Sequence, residues 1–298
     1  MLLASLLFFA LLSQAAPQLL TRSIRKLSPS QVAELAPYTQ FARAAYCPTR
    51  VLSNWSCGQA CSALSGFQPS LVGGDGNAIQ NYIVGYWPNQ DAVVVAHEGT
   101  DPTKLLSVLT DVKIRLVQLD PTLFPGVSSA VLVHEGFRNE HAQTASKILA
   151  QVKILFAQHN TNKLRLIGHS LGGAIAELDS LFFATNIPGI RIKTVTYGTP
   201  RVGNAAFAHL IDLHIPDFHR VNNEKDVIPT VPAQFLGFSH PHGEIHILSH
   251  FDVVACSGDD DSTDPECTDK TVPILLKGNI LNHLGPYDGI YIGTVFCY

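Results

Sequence analysis

Residues Lys163 to Phe183 read KLRLIGHSLGGAIAELDSLFF. Leu164, Leu166 and Ile167 form a short β-type run, and Leu171 to Phe183 continue as an apolar helical run. Between them stands Gly168-His169-Ser170-Leu171-Gly172, a G-x-S-x-G string placed where a strand turns directly into a helix. That placement predicts a nucleophile elbow, a sharp turn that lifts a serine hydroxyl out of the sheet's C-terminal edge. Glycines flank Ser170 because larger side chains would collide with the neighbouring strand and helix. The turn also puts the Leu171 N–H at a helix start, where unpaired donors and the helix dipole favour negative charge. A glycine-rich turn with an incidental serine is the blander reading; the flanking strand and helix speak against it.

The same alternation runs outward in both directions. Upstream, NYIVGYW (81–87) and DAVVVAHEG (91–99) are β-rich and joined by Pro88-Asn89-Gln90-Asp91, a hairpin signal. Val112, Ile114 and Leu116 alternate with Lys113 and Arg115, which predicts a half-exposed strand. Helical spacing marks residues 30–46 and 138–158. Downstream, IKTVTYG (192–198) predicts a strand, AAFAHLIDLH (205–214) a helix and FHRVNN (218–223) another strand. Strands alternating with helices predict an α/β architecture: a mixed, mostly parallel central sheet with helices on both faces. Beyond residue 236, short strand-like runs and loops dominate.

A serine hydroxyl is a weak nucleophile at neutral pH. It needs a histidine base, and the histidine needs a carboxylate to fix its tautomer. In folds with this elbow the chain order is serine, acid, histidine. Asp226 follows FHRVNN on a loop near a strand's C-terminal end, where sites in open α/β sheets lie. Glu224 is the local alternative, and Asp217 precedes the strand and is worse placed. His283, in LNHLGPYDG, sits on a Gly/Pro-marked loop and is the expected base. His240, His242, His246 and His250 compete and could suggest a metal. Pro241 and Gly243 argue against the continuous helix that would align them, so structural histidines are expected, with no metal or cofactor. The oxyanion of acyl transfer needs preorganised donors. Leu171 N–H supplies one, and Thr100, after the strand ending HEGT, is expected to supply another.

Thr100 is followed by a short apolar segment, with Leu105, Leu106, Val108 and Leu109 in five positions. On a helix Leu105, Val108, Leu109 and Val112 would share one stripe, fitting a mobile lid that contacts substrate, or else a fixed core helix.

Composition bounds the rest. At 298 residues, 46% hydrophobic and 15% charged, the chain can bury a large core. A net charge of −4 without basic runs argues against nucleic acid as a partner. The apolar run Leu2–Leu12 is too short to span a bilayer, and small residues at Ser13 and Ala15 suit signal cleavage after residue 15. A buried N-terminal helix is the alternative. The dibasic Arg25-Lys26 suggests a pro-segment to about residue 26, leaving 27–298 as one catalytic domain. Six cysteines, Cys47, Cys57, Cys61, Cys256, Cys267 and Cys297, fit export and three disulfides, with 15 pairings open. Asn54-Trp55-Ser56 is a glycosylation sequon. A secreted monomer without a transmembrane anchor is expected.

GHSLGGA, TYGTPRVGN, NNEKDVIPTVP with GFSHP, and NHLGPYDG, preceded by FARAAYC, HEGT and VHEGF, occur in an order that resembles the class 3 lipases of filamentous fungi and the related feruloyl esterases. The resemblance covers most of the chain beyond the leader. It departs at Glu98, where a basic residue is common, and in residues 100–137, which hold no cysteine. It implies an α/β-hydrolase fold, a Ser170, Asp226 and His283 triad, an oxyanion hole of Thr100 and Leu171, and disulfides Cys47–Cys297, Cys57–Cys61 and Cys256–Cys267. The implied activity is ester hydrolysis on acylglycerols at a lipid–water interface. Hydrolysis of soluble feruloyl-type esters is the alternative, and an inactive binding protein the remote one.

Overall fold

In the computed structural model, residues 24–111, 114–258, 260 and 263–297 are described. The predicted leader, and Val112 of the expected apolar stripe, lie outside them. The main sheet has nine strands: β1 (Arg25–Lys26), β2 (Gln68–Gly73), β3 (Tyr82–Trp87), β4 (Ala92–His97), β5 (Lys163–His169), β6 (Arg191–Tyr197), β7 (Phe218–Asn223), β8 (Glu244–Ser249) and β9 (Asp252–Ala255). Their spatial order is β1-β9-β8-β7-β6-β5-β4-β3-β2. The five central strands β4 to β8 pair in parallel. Antiparallel strands finish both edges, with the predicted 81–99 hairpin forming β3 and β4. Four short strands make a second small sheet beside it. The fold is the α/β-hydrolase fold.

Alternation along the strands produces a core on each face. Val93 and Val95 of β4 point to one side with Leu164 and Leu166 of β5, under the helices Glu135–His159, Leu171–Asn186 and Ala205–His214. Val94, Ala96 and Ile167 point to the other, under Ala36–Ala44 and Gly58–Ala63. Strands buried on both faces read as continuous apolar runs, which is why VVVA and LIG were legible as strands.

Three expectations shift. The helical run 30–46 divides into Pro29–Ala33 and Ala36–Ala44, because Pro37 needs a position in a first helical turn, where its missing N–H is not wanted. The strand expected from Val112 begins only at Leu116 and ends at Gln118; Ile114 instead closes a turn by donating to the Asp111 carbonyl. The dibasic pair Arg25-Lys26 is β1 itself, an exposed edge strand whose Lys26 ammonium pairs with Asp252 at 2.9 Å.

Cys47 joins Cys297, Cys57 joins Cys61, and Cys256 joins Cys267. The first fastens the last residues of the chain to the helical N-terminal layer across 250 residues.

One buried group makes stability depend on pH. Glu177, in the helix after Ser170, is fully buried, and both its carboxylate oxygens lack a hydrogen-bond partner. Burial raises its pKa from an ordinary 4.5 to about 8, despite the nearby Arg220. The folded state therefore holds a proton that the unfolded chain releases above pH 4.5. Its stabilising contribution is complete below that pH and is lost as pH rises through about 8. Each pH unit in between removes roughly 1.4 kcal/mol. Glu177→Gln keeps the shape without the charge, so its melting temperature should exceed wild type at pH 9 by several degrees and match it near pH 5. Parallel melting curves across that range would refute this account.

Candidate active site

The Gly168–Gly172 turn shows why the motif needs its glycines. Ser170 takes φ 61° and ψ −127°, outside the helix that begins at Leu171. A Cβ on Gly168 would collide with the Gly172 carbonyl, and one on Gly172 with the carbonyls of His97 and Glu98 at the end of β4. The nucleophile helix therefore presses directly on the strand end that leads to Gly99 and Thr100. Gly99 is equally confined: an added Cβ would come within 2.8 Å of Ser170 Cβ. Gly99, which precedes Thr100, thus lies against Ser170 on one side, and Leu171 follows Ser170 into the helix on the other. Leu171 opens its helix, where an N–H has no intrahelical acceptor.

Asp226 and His283 meet from separate loops. His283 Nδ1 lies 2.8 Å from Asp226 Oδ2, and the other Asp226 oxygen accepts the Ile228 N–H at 2.9 Å. A carboxylate oxygen facing Nδ1 requires the proton there, so Nε2 carries a free lone pair. His283 Nε2 and Ser170 Oγ are both buried, and neither has a hydrogen-bond partner. Unpaired buried polar atoms are uncommon and demand a reason. A hydroxyl and an imidazole lone pair held in this state are the two groups that a proton transfer from serine to a histidine base requires. Ser170 and His283 are 0% exposed and Asp226 1%, so the site is closed to solvent.

The helix Pro102–Leu109 follows Thr100. Asp101 caps its start, accepting the N–H groups of Thr103 and Lys104, and Pro102 takes the first helical position. The helix packs against Ile280–Leu284, the segment carrying His283. Leu105 and Leu109 are 5% and 1% exposed and Leu106 is half-buried, whereas Val108 is 56% exposed. The expected stripe is corrected accordingly. At 100° per residue Leu109 lies 40° from Leu105 and Leu106 100° on the same side, while Val108 falls on the other.

The alternatives are occupied elsewhere. Asp217 holds Lys193 and His219 at the far end of the sheet. Glu224 accepts from the Asn282 amide beside the site. His240 bonds the Pro229 carbonyl, His242 pairs with Asp212, and His246 bonds the Glu224 and Glu266 carbonyls. Those three histidines sit on separate partners. Asn54 is exposed, at the C-terminus of a short helix.

Residues 94–236, from β4 through the nucleophile and Asp226, match the model of the lipase (class 3) family. Over these residues, just under half of its length, the chain is similar to the class 3 lipases. It is 34% identical over 175 residues to a secreted mono- and diacylglycerol lipase of Malassezia globosa, covering 58% of this chain and 57% of that protein. It is 28% identical over 270 residues to a lipase of Rhizopus niveus, covering 87% of this chain and 64% of that one. The chain therefore spans about three fifths of the length of these relatives. Among solved structures, Rhizomucor miehei triacylglyceride lipase superposes with a TM-score of 0.78 at 27% identity, covering 93% of this chain and all of that one. A triacylglycerol lipase described as having a serine protease triad as its catalytic centre superposes at 0.77 with 27% identity and the same coverage.

Two elements of this site were not read from sequence. Gly198, with φ +52°, lies against the Asp–His pair: an added Cβ would sit 2.7 Å from His283 Nδ1 and 2.8 Å from Asp226 Oδ2. His169, the variable position of G-x-S-x-G, touches His283. A glycine at the end of a strand, after TVTY, is the only local signal for the first; nothing local marks the second.

Proposed function

We propose that this protein is a secreted carboxylic ester hydrolase that acts on acylglycerols at a lipid–water interface. The reading is supported by the Asp226–His283 pair together with the buried, unpartnered Ser170 hydroxyl. Ser170 Oγ attacks the ester carbonyl while His283 Nε2 takes its proton, and Asp226 stabilises the imidazolium that forms. The Thr100 and Leu171 N–H groups hold the oxyanion. As the tetrahedral intermediate collapses, His283 gives the proton to the departing alcohol. Water, activated by the same His283, then releases the acid from Ser170.

The surface around the helix supports a lipid over a soluble ester. A groove of about 890 Å³ borders Leu109 and Thr110 at the helix end. Its rim carries the exposed apolar side chains Phe235, Leu236, Ile274, Leu275 and Leu276. Exposed apolar patches of this kind mark interaction surfaces. No helix among the described residues is long and apolar enough to cross a membrane, so contact with lipid would be made by this face. Removal of residues 1–15 then leaves one catalytic domain whose sheet begins at β1, Arg25–Lys26, with Asn54 available for a glycan.

The test is rate against ester concentration across the solubility limit, for a chain-length series including triacylglycerol emulsions, with methyl ferulate for comparison. The expected result is a rise in rate as the emulsion forms and slow turnover of methyl ferulate. Preference for methyl ferulate, with no rise at the limit, would assign the soluble-ester alternative.

A further inference from the structure

We infer that Tyr46 and His169 are positioning residues: one buried hydrogen-bonded chain through them holds the base, the nucleophile and the oxyanion loop in register. The inference rests on the serine-hydrolase reading above. His169 Nε2 lies 2.8 Å from the His283 carbonyl oxygen, and His169 Nδ1 lies 2.6 Å from the Tyr46 hydroxyl. The two rings of His169 and His283 stand 4.4 Å apart. Tyr46 is 4% exposed and both histidines 0%.

The direction of every proton in this chain follows from chemistry. A carbonyl oxygen only accepts, so His169 Nε2 must carry hydrogen. Burial, with His283 nearby, holds the His169 pKa well below its ordinary 6.5, so the ring is neutral and has one N–H. Nδ1 is therefore a lone pair, and the Tyr46 hydroxyl donates to it. On its other side the Tyr46 oxygen lies against Gly99, where an added Cβ would collide with it. The result reads Tyr46 O–H to His169, His169 N–H to the His283 carbonyl, with Gly99 packed against the Tyr46 oxygen. The Tyr287 hydroxyl donates to the same carbonyl at 3.1 Å.

The members sit at consequential points of the chain. Gly99 precedes Thr100, His169 precedes Ser170, and His283 is the base. Both ring nitrogens of His169 are needed, one accepting and one donating across the ring. The variable position of G-x-S-x-G thus acquires a specific role, since its side chain reaches across to the back of the base.

The experiment uses Tyr46→Phe, which keeps the ring and removes only the donor, together with Tyr287→Phe and the double variant. Rates on a soluble p-nitrophenyl ester are normalised to the Ser170 titrated by a fluorophosphonate, so that misfolded protein does not count. The expected result for Tyr46→Phe is a kcat lower by about 10- to 100-fold, the scale of loss for sub-ångström to 1 Å misplacement of reacting groups. KM should stay within about threefold. Because both tyrosines act through one carbonyl, the double variant should lose less, or more, than the product of the single losses. A wild-type kcat for Tyr46→Phe would overturn the inference, as would strictly multiplicative losses. Failure of the wild type to label at Ser170 would instead overturn the hydrolase reading itself.

Discussion

Ser170→Ala should lower hydrolysis of a soluble p-nitrophenyl ester by about a million-fold, the scale seen when a serine nucleophile of this kind is removed. A residual rate above the uncatalysed reaction should remain, because donors at Thr100 and Leu171 would still bind the developing oxyanion. The variant should fold at least as well as wild type. Ser170 Oγ is buried and has no hydrogen-bond partner, so its removal ends an unmet desolvation penalty of about 1–3 kcal/mol. The backbone strain at φ 61° is the same for alanine as for serine. The paired measurement is the turnover rate and the melting temperature of one preparation. Turnover within tenfold of wild type would remove Ser170 from the chemistry. A large fall in melting temperature would show instead that its hydroxyl serves the fold.

Activity and stability pull apart at Ser170 because the site is assembled from contacts that the core does not need. The same distinction explains what could be read from the sequence. The strand at Lys163–His169 and the helix after it announce themselves through local apolar period and flanking glycines, and Asp226 and His283 through their place after a strand and on a marked loop. These signals act over a few residues. Gly198 and Tyr46 carry no such signal. The importance of Gly198 comes from side chains 28 and 85 positions further along the chain, and that of Tyr46 from a ring 123 residues away. The Pro102–Leu109 helix shows the intermediate case. Its apolar content was legible, but its rotation was not, because the side that turns inward is chosen by Ile280–Leu284 and the core beneath. The late strands β8 and β9 extend the main sheet although each offers only a short apolar signal; pairing of β8 with β7 and of β9 with β8, and the Cys256–Cys267 bond, place them.

Gly198→Ala tests how closely the base and its carboxylate are held. The substitution adds one methyl group within 2.7–2.8 Å of His283 Nδ1 and Asp226 Oδ2, the two atoms that share the 2.8 Å bond. Carbon atoms do not settle at that separation from nitrogen or oxygen, so the pair must part or the loop must move. Asp226 has little room, since its second oxygen is tied to the Ile228 N–H, and the His283 carbonyl is tied to His169 and Tyr287. The imidazole is therefore the group that should yield, tilting Nε2 away from Ser170. Loss of the orienting bond in a triad of this type lowers kcat by about ten-thousand-fold, which sets the upper bound; a displaced but intact pair gives about a hundred-fold. The expected kcat of Gly198→Ala lies between these limits. Left-handed backbone strain contributes as well, at φ +52°, and must be separated from the collision. Gly66→Ala provides the control: its φ is +87°, and an added Cβ there meets nothing within 4 Å. Both variants should lose stability through backbone strain, by about 1 kcal/mol for an alanine forced into that region, whereas only Gly198→Ala should lose kcat. Equal kcat in the two variants would mean that the contact at Gly198 does not hold the base.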